Sequence, residues 1–180
     1  MNFVLLEPKN RENLATIIRS GQNFGVKSVF VIGGFIRDKY KGNIHKFNHQ
    51  MNTQDGISTV TLMYFESLSL FLKHLPAQTT LVIIETVEKA VELKEFKHPK
   101  NATYMLGSEA KGFTKHDLIE IESYFKSLTK GIPEAFISQN SKTAHLAYVK
   151  INTPQSLNLG VCGSIVMYDR NNKLTRPMDI

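Results

Sequence analysis

The sequence predicts an α/β protein: a mostly parallel sheet of about six strands flanked by helices. Three observations carry this. Short, nearly continuous apolar runs recur, as expected of strands covered on both faces. Segments with helical apolar spacing separate them. The chain also opens strand–helix–strand, the pattern of a parallel βαβ unit.

Taken in order, "NFVLLE" (2–7) is an apolar run closed by Pro8 and reads as a buried strand. "NRENLATIIRSGQNFG" (10–25) reads as a helix, with Leu14, Ile17, Ile18 and Gly21 as its buried stripe and Gly25 placed to stop it. "KSVFVIGGF" (27–35) is a second strand ending in two glycines. Residues 37–56, "RDKYKGNIHKFNHQMNTQDG", show no apolar periodicity; they read as a basic surface segment with at most a short helix. "ISTVTLMYF" (57–65) returns to strand, "ESLSLFLKHL" (66–75) to a helix ended by Pro76, and "TTLVIIET" (79–86) to strand. "VEKAVELKEF" (87–96) reads as helical. "ATYMLGSEAKGF" (102–113) is a strand running into a glycine-punctuated loop. "TKHDLIEIESYF" (114–125) is a helix with Thr114 as N-cap, three residues before Asp117. "AYVKIN" (147–152) is the last strand and precedes a C-terminal helix. No repeat or linker interrupts the chain, so residues 1–180 are expected to form one domain.

Composition narrows the function classes. The 180 residues are 42% hydrophobic and 21% charged, as in an ordinary soluble globular chain. Twenty-two basic against 16 acidic residues leave a net charge of +6, which favours an anionic partner such as nucleic acid. One cysteine, Cys162, excludes an intrachain disulfide. No apolar run reaches the ~18 residues of a membrane span, and no signal peptide is visible. A cytoplasmic location is expected.

In open α/β sheets, ligands bind beyond the carboxyl ends of the strands. Three strand ends here carry unusual residues. The first leads to Asn13 and Arg19, the fifth to Gly107-Ser108-Glu109-Ala110-Lys111-Gly112, and the last to Asn152 and Ser156-Leu157-Asn158. Singly each is weak, since a Ser-Leu-Asn before a helix is ordinarily a cap. No phosphate loop or dinucleotide fingerprint is present, and no metal site is visible. The C-terminal helix adds a puzzle. Gly160, Gly163 and Ser164 share one nearly bare face, although glycine costs a helix about 1 kcal/mol relative to alanine.

Jointly and in this order, the motifs "NLATIIR", "LGSEAKGF" and "SLNLGVCGSIVMYDR" resemble those of the SPOUT superfamily of S-adenosylmethionine-dependent RNA methyltransferases. The branch they resemble is SpoU/TrmH, which methylates ribose 2′-hydroxyls. The likeness spans nearly the whole chain. It departs at Ala15 and Ala110, where glycine is usual, and in extra residues within 123–147, which read as a surface elaboration, a lid or an RNA-contacting loop. The resemblance implies a C-terminal trefoil knot and a homodimer formed through the first and last helices. The bare face of the last helix would then serve either the close backbone approach of the knot or the dimer contact.

The resemblance also assigns residues. Asn13, Arg19, Glu109, Ser156 and Asn158 are the implied catalytic set. Gly107, Ser108, Glu109, Ile151, Leu157 and Asn158 are the implied cradle of the methyl donor, S-adenosylmethionine. Arg19 is the family's activator of the 2′-hydroxyl. A guanidinium is a permanent cation, so it suits a phosphate clamp or alkoxide stabiliser better than a general base. None of the six histidines falls on a motif position; His45 and His49 join the basic stretch. There Arg37, Lys39, Lys41 and Lys46 are the expected phosphate contacts. The first strand begins within a residue of the start, which resembles the core-only tRNA-modifying members, so tRNA is favoured over ribosomal RNA. A non-catalytic RNA-binding relative is the other reading.

Overall fold

The computed structural model describes residues 1–51, 59–76, 78–130 and 144–175. Seven strands form one sheet: β1 (Asn2–Leu6), β2 (Ser28–Ile32), β3 (Thr61–Phe65), β4 (Thr80–Ile84), β5 (Val91–Glu92), β6 (Ala102–Leu106) and β7 (His145–Lys150). Their order across the sheet is β3-β2-β1-β6-β4-β7-β5, and every pairing is parallel. Among the described residues the helices are α1 (Arg11–Asn23), α2 (Gly34–Tyr40), α3 (Ile44–Met51), α4 (Leu68–Lys73), α5 (Lys115–Thr129) and α6 (Leu159–Thr175).

Both faces of the sheet are covered. Side chains alternate along each strand. Phe3, Leu5, Val29, Val31 and Tyr104 face one buried cluster with Leu14 and Ile17 of α1 and Val166 and Met167 of α6. Val4, Leu6, Phe30, Ile32 and Met105 face the other, with Phe71 of α4 and Ile121 and Phe125 of α5. Continuous apolar strands are what such two-sided burial requires. At the start of α5, Thr114 and Asp117 form the expected capping box.

Three expectations change. The segment 37–56 is more ordered than its polarity suggested, since α2 and α3 occupy most of its first half. Ile36 and Phe47 are fully buried, and Phe35, Tyr40 and Phe47 pack edge to face. Ile36, Tyr40, Ile44 and Phe47 do recur at helical spacing, but basic neighbours and the turn at Gly42 hide it. The 87–96 stretch forms β5 and a 3-10 turn (Leu93–Glu95) instead of a helix. Local helix formers yield there because Val91 and Glu92 complete the sheet edge against Val149 and Lys150. That makes seven strands among the described residues rather than six. Part of the third expected strand (57–58) and most of the extra segment (131–143) lie outside the described residues.

Candidate active site

Strands β1, β6, β4 and β7 are sheet neighbours running one way, so the segments after them meet at one edge. Residues nearly 100 positions apart touch there. The Glu109 carboxylate accepts from the Lys9 backbone N–H at 2.8 Å, the Asn10 N–H at 3.1 Å and the Asn13 side-chain amide at 2.9 Å. It thus sits at the N-terminal end of α1, where free N–H groups favour an anion. Burial pushes the Glu109 carboxyl upward, but the hydrogen bonds from Asn13, Lys9 and Asn10 outweigh it and hold it below the ordinary carboxylate range. Asn13 itself is buried, so its amide is fixed by this contact.

The loop after β6 is closed on itself by two backbone bonds between Ser108 and Gly112, of 3.1 and 2.8 Å. Gly112 has φ +59°, a conformation that side chains rarely adopt, and a Cβ there would lie 2.5 Å from Oε2 of Glu85. The Glu85 carboxylate, at the end of β4, accepts from the backbone N–H groups of Thr86 and Phe113 at 2.8 and 3.1 Å. It fastens the loop to the sheet.

Between this loop and the segment after β7 lies a cleft of about 300 Å³. Gly107, Ser108, Glu109, Ile151, Ser156 and Leu157 line it, together with Glu85, Lys150, Leu159 and Cys162. Burial first, and then the Glu85 charge, push the Cys162 thiol up to about 11, so it is a neutral wall of the cleft. A second cleft, of about 490 Å³, lies across the loop and shares Ser108 and Gly112 with the first. Lys9, Lys39 and Lys111 stand on its lining, as does Arg37.

This arrangement has known counterparts. The profile of the SpoU rRNA methylase family matches residues 1–126. The chain belongs to that family. No curated protein sequence matches this SpoU chain. Solved structures do, at identities that speak to the fold. One described as giving structural insights into the 2-OH methylation of C/U34 on tRNA is 20% identical with a TM-score of 0.64, covering 97% of this chain and 95% of that one. The rRNA methyltransferase of Sinorhizobium meliloti is 13% identical at TM-score 0.63, covering 97% and 56%. AviRb, a SpoU methyltransferase of Streptomyces viridochromogenes in complex with AdoMet, is 13% identical at TM-score 0.61, covering 97% and 60%. The chain therefore spans nearly all of the first and little more than half of the other two.

Within the SpoU chain the expected residues separate into two groups. Gly107, Ser108, Glu109, Ile151, Ser156 and Leu157 converge on one cleft, and Asn13 joins them through Glu109. Asn158 does not line that cleft. Its side-chain oxygen accepts from the Val161 N–H at 3.2 Å, and its carbonyl takes the Cys162 N–H, so it caps α6. Arg19 is exposed on α1 and absent from the linings of both clefts. Six residues beyond Asn13, it points about 120° away around the helix.

The basic stretch divides likewise. Arg37 is forked onto Glu7, with Nη1 and Nη2 at 2.7 and 3.0 Å from its two oxygens, and its Nε reaches Asp38 at 3.0 Å. That guanidinium builds the wall of the second cleft, a role its sequence neighbourhood could not show. Lys39, Lys41, His45 and Lys46 are exposed, while the side chain of His49 lies outside the described residues. Reading the sequence missed Glu85, whose only signal was a carboxylate ending an otherwise apolar strand at the ligand edge. Among the described residues, no group of His, Cys, Asp and Glu is arranged to hold a metal ion.

Proposed function

We propose that this SpoU chain methylates a ribose 2′-hydroxyl of tRNA, with S-adenosylmethionine as methyl donor. The observation that carries the reading is the meeting of all three motifs at one cleft. Glu109 ties the first motif to the second, and Ser156, Leu157, Leu159 and Cys162 of the third stand on the opposite wall, continuing the segment after β7. The lining suits the donor: Gly107, Ile151 and Leu157 beside apolar Leu106 and Leu159, with the Glu85 carboxylate to meet a cationic ligand. When bound, the donor supplies an electrophilic methyl on a sulfonium. The chain's part is to hold it, orient the acceptor and help the hydroxyl proton leave.

Glu109, held as an anion by α1, positions the Asn13 amide beside the donor cleft, and Ser156 stands on the facing wall. Asn158 acts by fixing the start of α6. Arg19 clamps the phosphate beside the target ribose and stabilises developing alkoxide charge. Since it stands away from the cleft of its own chain, it is supplied across a homodimer. Val161 and Tyr168, seven residues apart on α6 and exposed, support such an interface. The trefoil knot implied by the family belongs to the same reading, with residues 1–180 acting as one cytoplasmic domain. Among the described residues, no helix is long and apolar enough to cross a membrane.

Transfer of label from S-adenosylmethionine to purified tRNA, with the product mapped as a 2′-O-methyl nucleotide, tests this directly. Label on ribosomal RNA alone would move the substrate to the second reading, which the likeness to the Sinorhizobium meliloti enzyme supports. Donor binding without transfer to any RNA would favour a non-catalytic relative.

A further inference from the structure

Glu85 is the carboxylate of the donor cleft that the three motifs leave unexplained. It is held at both oxygens. One oxygen accepts from the Thr86 N–H, the other from the Phe113 N–H across the gap between β4 and the loop after β6. Gly112 leaves just enough room for it, since any Cβ there would overlap the carboxylate. The group is half-buried, and its charge reaches the far wall, where it adds to the upward push on Cys162. Two other charges line the cleft. Glu109 is turned toward the N-terminal end of α1 and Asn13, and Lys150 lies opposite Glu92 in the β5–β7 pairing.

We propose that Glu85 is what lets this cleft distinguish the cationic methyl donor from the neutral product of transfer, so that product leaves after each turnover. The proposal rests on reading the cleft as the S-adenosylmethionine site. Donor and product differ by one methyl group and one positive charge. Every contact to the adenosine and to the amino-acid tail is common to both and cancels in their ratio. Only a group that senses charge at the sulfur can separate them strongly. A fixed carboxylate in a partly desolvated cleft does so more effectively than a mobile one in water.

Calorimetric titration of S-adenosylmethionine, S-adenosylhomocysteine and the amine-bearing analogue sinefungin into the full chain reads the effect without catalysis. Glu85→Gln should weaken the donor about tenfold more than the product, equivalent to ~1.4 kcal/mol, with sinefungin following the donor. Glu85→Asp should keep the donor-to-product ratio even if both bind less well. A residue that merely fastens the loop would weaken all three ligands alike, and an unchanged ratio in Glu85→Gln overturns the proposal. Should Glu85→Gln fail to fold, Glu85→Thr reads the same ratio. If wild-type protein binds none of the three, the assignment of the cleft fails instead, which is a different result.

Discussion

Arg19 and Glu109 carry opposite charges, and the fold treats them differently. Glu109 is held by three hydrogen bonds at the edge of a cleft, while Arg19 is left in solvent on the helix that Glu109 caps. The contrast predicts how substitutions divide. Arg19→Ala should abolish methyl transfer and leave donor affinity within about twofold, because the donor's walls come from other segments. Arg19→Lys should restore little, since a point charge replaces a planar fork. Single-turnover transfer and calorimetry on the same preparations check both halves, and normal turnover in Arg19→Ala would remove Arg19 from the mechanism. The residue scale also shows what sequence can miss. Arg37 reads as a cation available to RNA until Glu7 is found 30 positions away in the chain and in contact with it.

The bare face of α6 acquires its explanation at the level of elements. Thr16 meets Gly160, the Ser20 and Ser164 hydroxyls hydrogen-bond at 2.8 Å, and the rings of Phe24 and Tyr168 meet edge on. These contacts advance by four residues on each helix, so α1 and α6 run parallel in step. A Cβ on Gly163 would fall 2.1 Å from Ile17 Cδ1 in the fully buried core. The face is bare because α1 lies on it, and its neighbours there are side chains rather than a wrapped backbone. Gly163→Leu should therefore destabilise by ~2 kcal/mol despite its better helix propensity, because overpacking costs ~1–3 kcal/mol. Denaturant titration would read it; a gain in stability would contradict the packing.

The other half of α6 grips the 93–100 segment. Arg170 donates to the carbonyls of Pro99 and Lys100, and Lys173 to that of Leu93. Buried His98 lies between the Tyr104 hydroxyl at 2.6 Å and Asp169 at 2.8 Å. Desolvation lowers the His98 pKa, outweighing the pull of Asp169. The unfolded chain then takes up this proton at a higher pH than the folded one. Stability should thus be full above about pH 6.5 and fall as pH drops below it. His98→Gln should flatten that part of the profile, as followed by denaturation midpoints between pH 7.5 and 5.5.

For the whole molecule, the net charge of +6 becomes a question of where the cations stand. Lys39, Lys41 and Lys46 are exposed, and Lys9, Lys39 and Lys111 border the second cleft, which adjoins the first at Ser108 and Gly112. Phosphate contacts from this side would give salt-dependent affinity. Lys39→Glu with Lys41→Glu should weaken tRNA binding, reduce its salt slope by about two and leave donor affinity unchanged. Light scattering on the same protein should show a dimer. A monomer would leave Arg19 without a partner's cleft to enter.

Much of this was legible in the chain itself. Apolar runs marked β1, β2, β4 and β6, because strands buried on both faces have no polar positions to hide them. Thr114 and Asp117 marked the start of α5, because capping is local chemistry. The second and third motifs marked Gly107, Ser108, Glu109, Ser156 and Leu157, which meet at one cleft, because a tight backbone approach needs small residues at set places. What only the tertiary structure decided involves partners distant along the chain. Val91 and Glu92 became a strand because β7 offered an open edge. Arg37 became a wall because Glu7 faced it. Glu85 entered the site because β4 lies beside β6 in the sheet. Local sequence encodes which backbone shapes are cheap. Which side chains then meet is set by the order of strands in the sheet, and no short stretch contains that order.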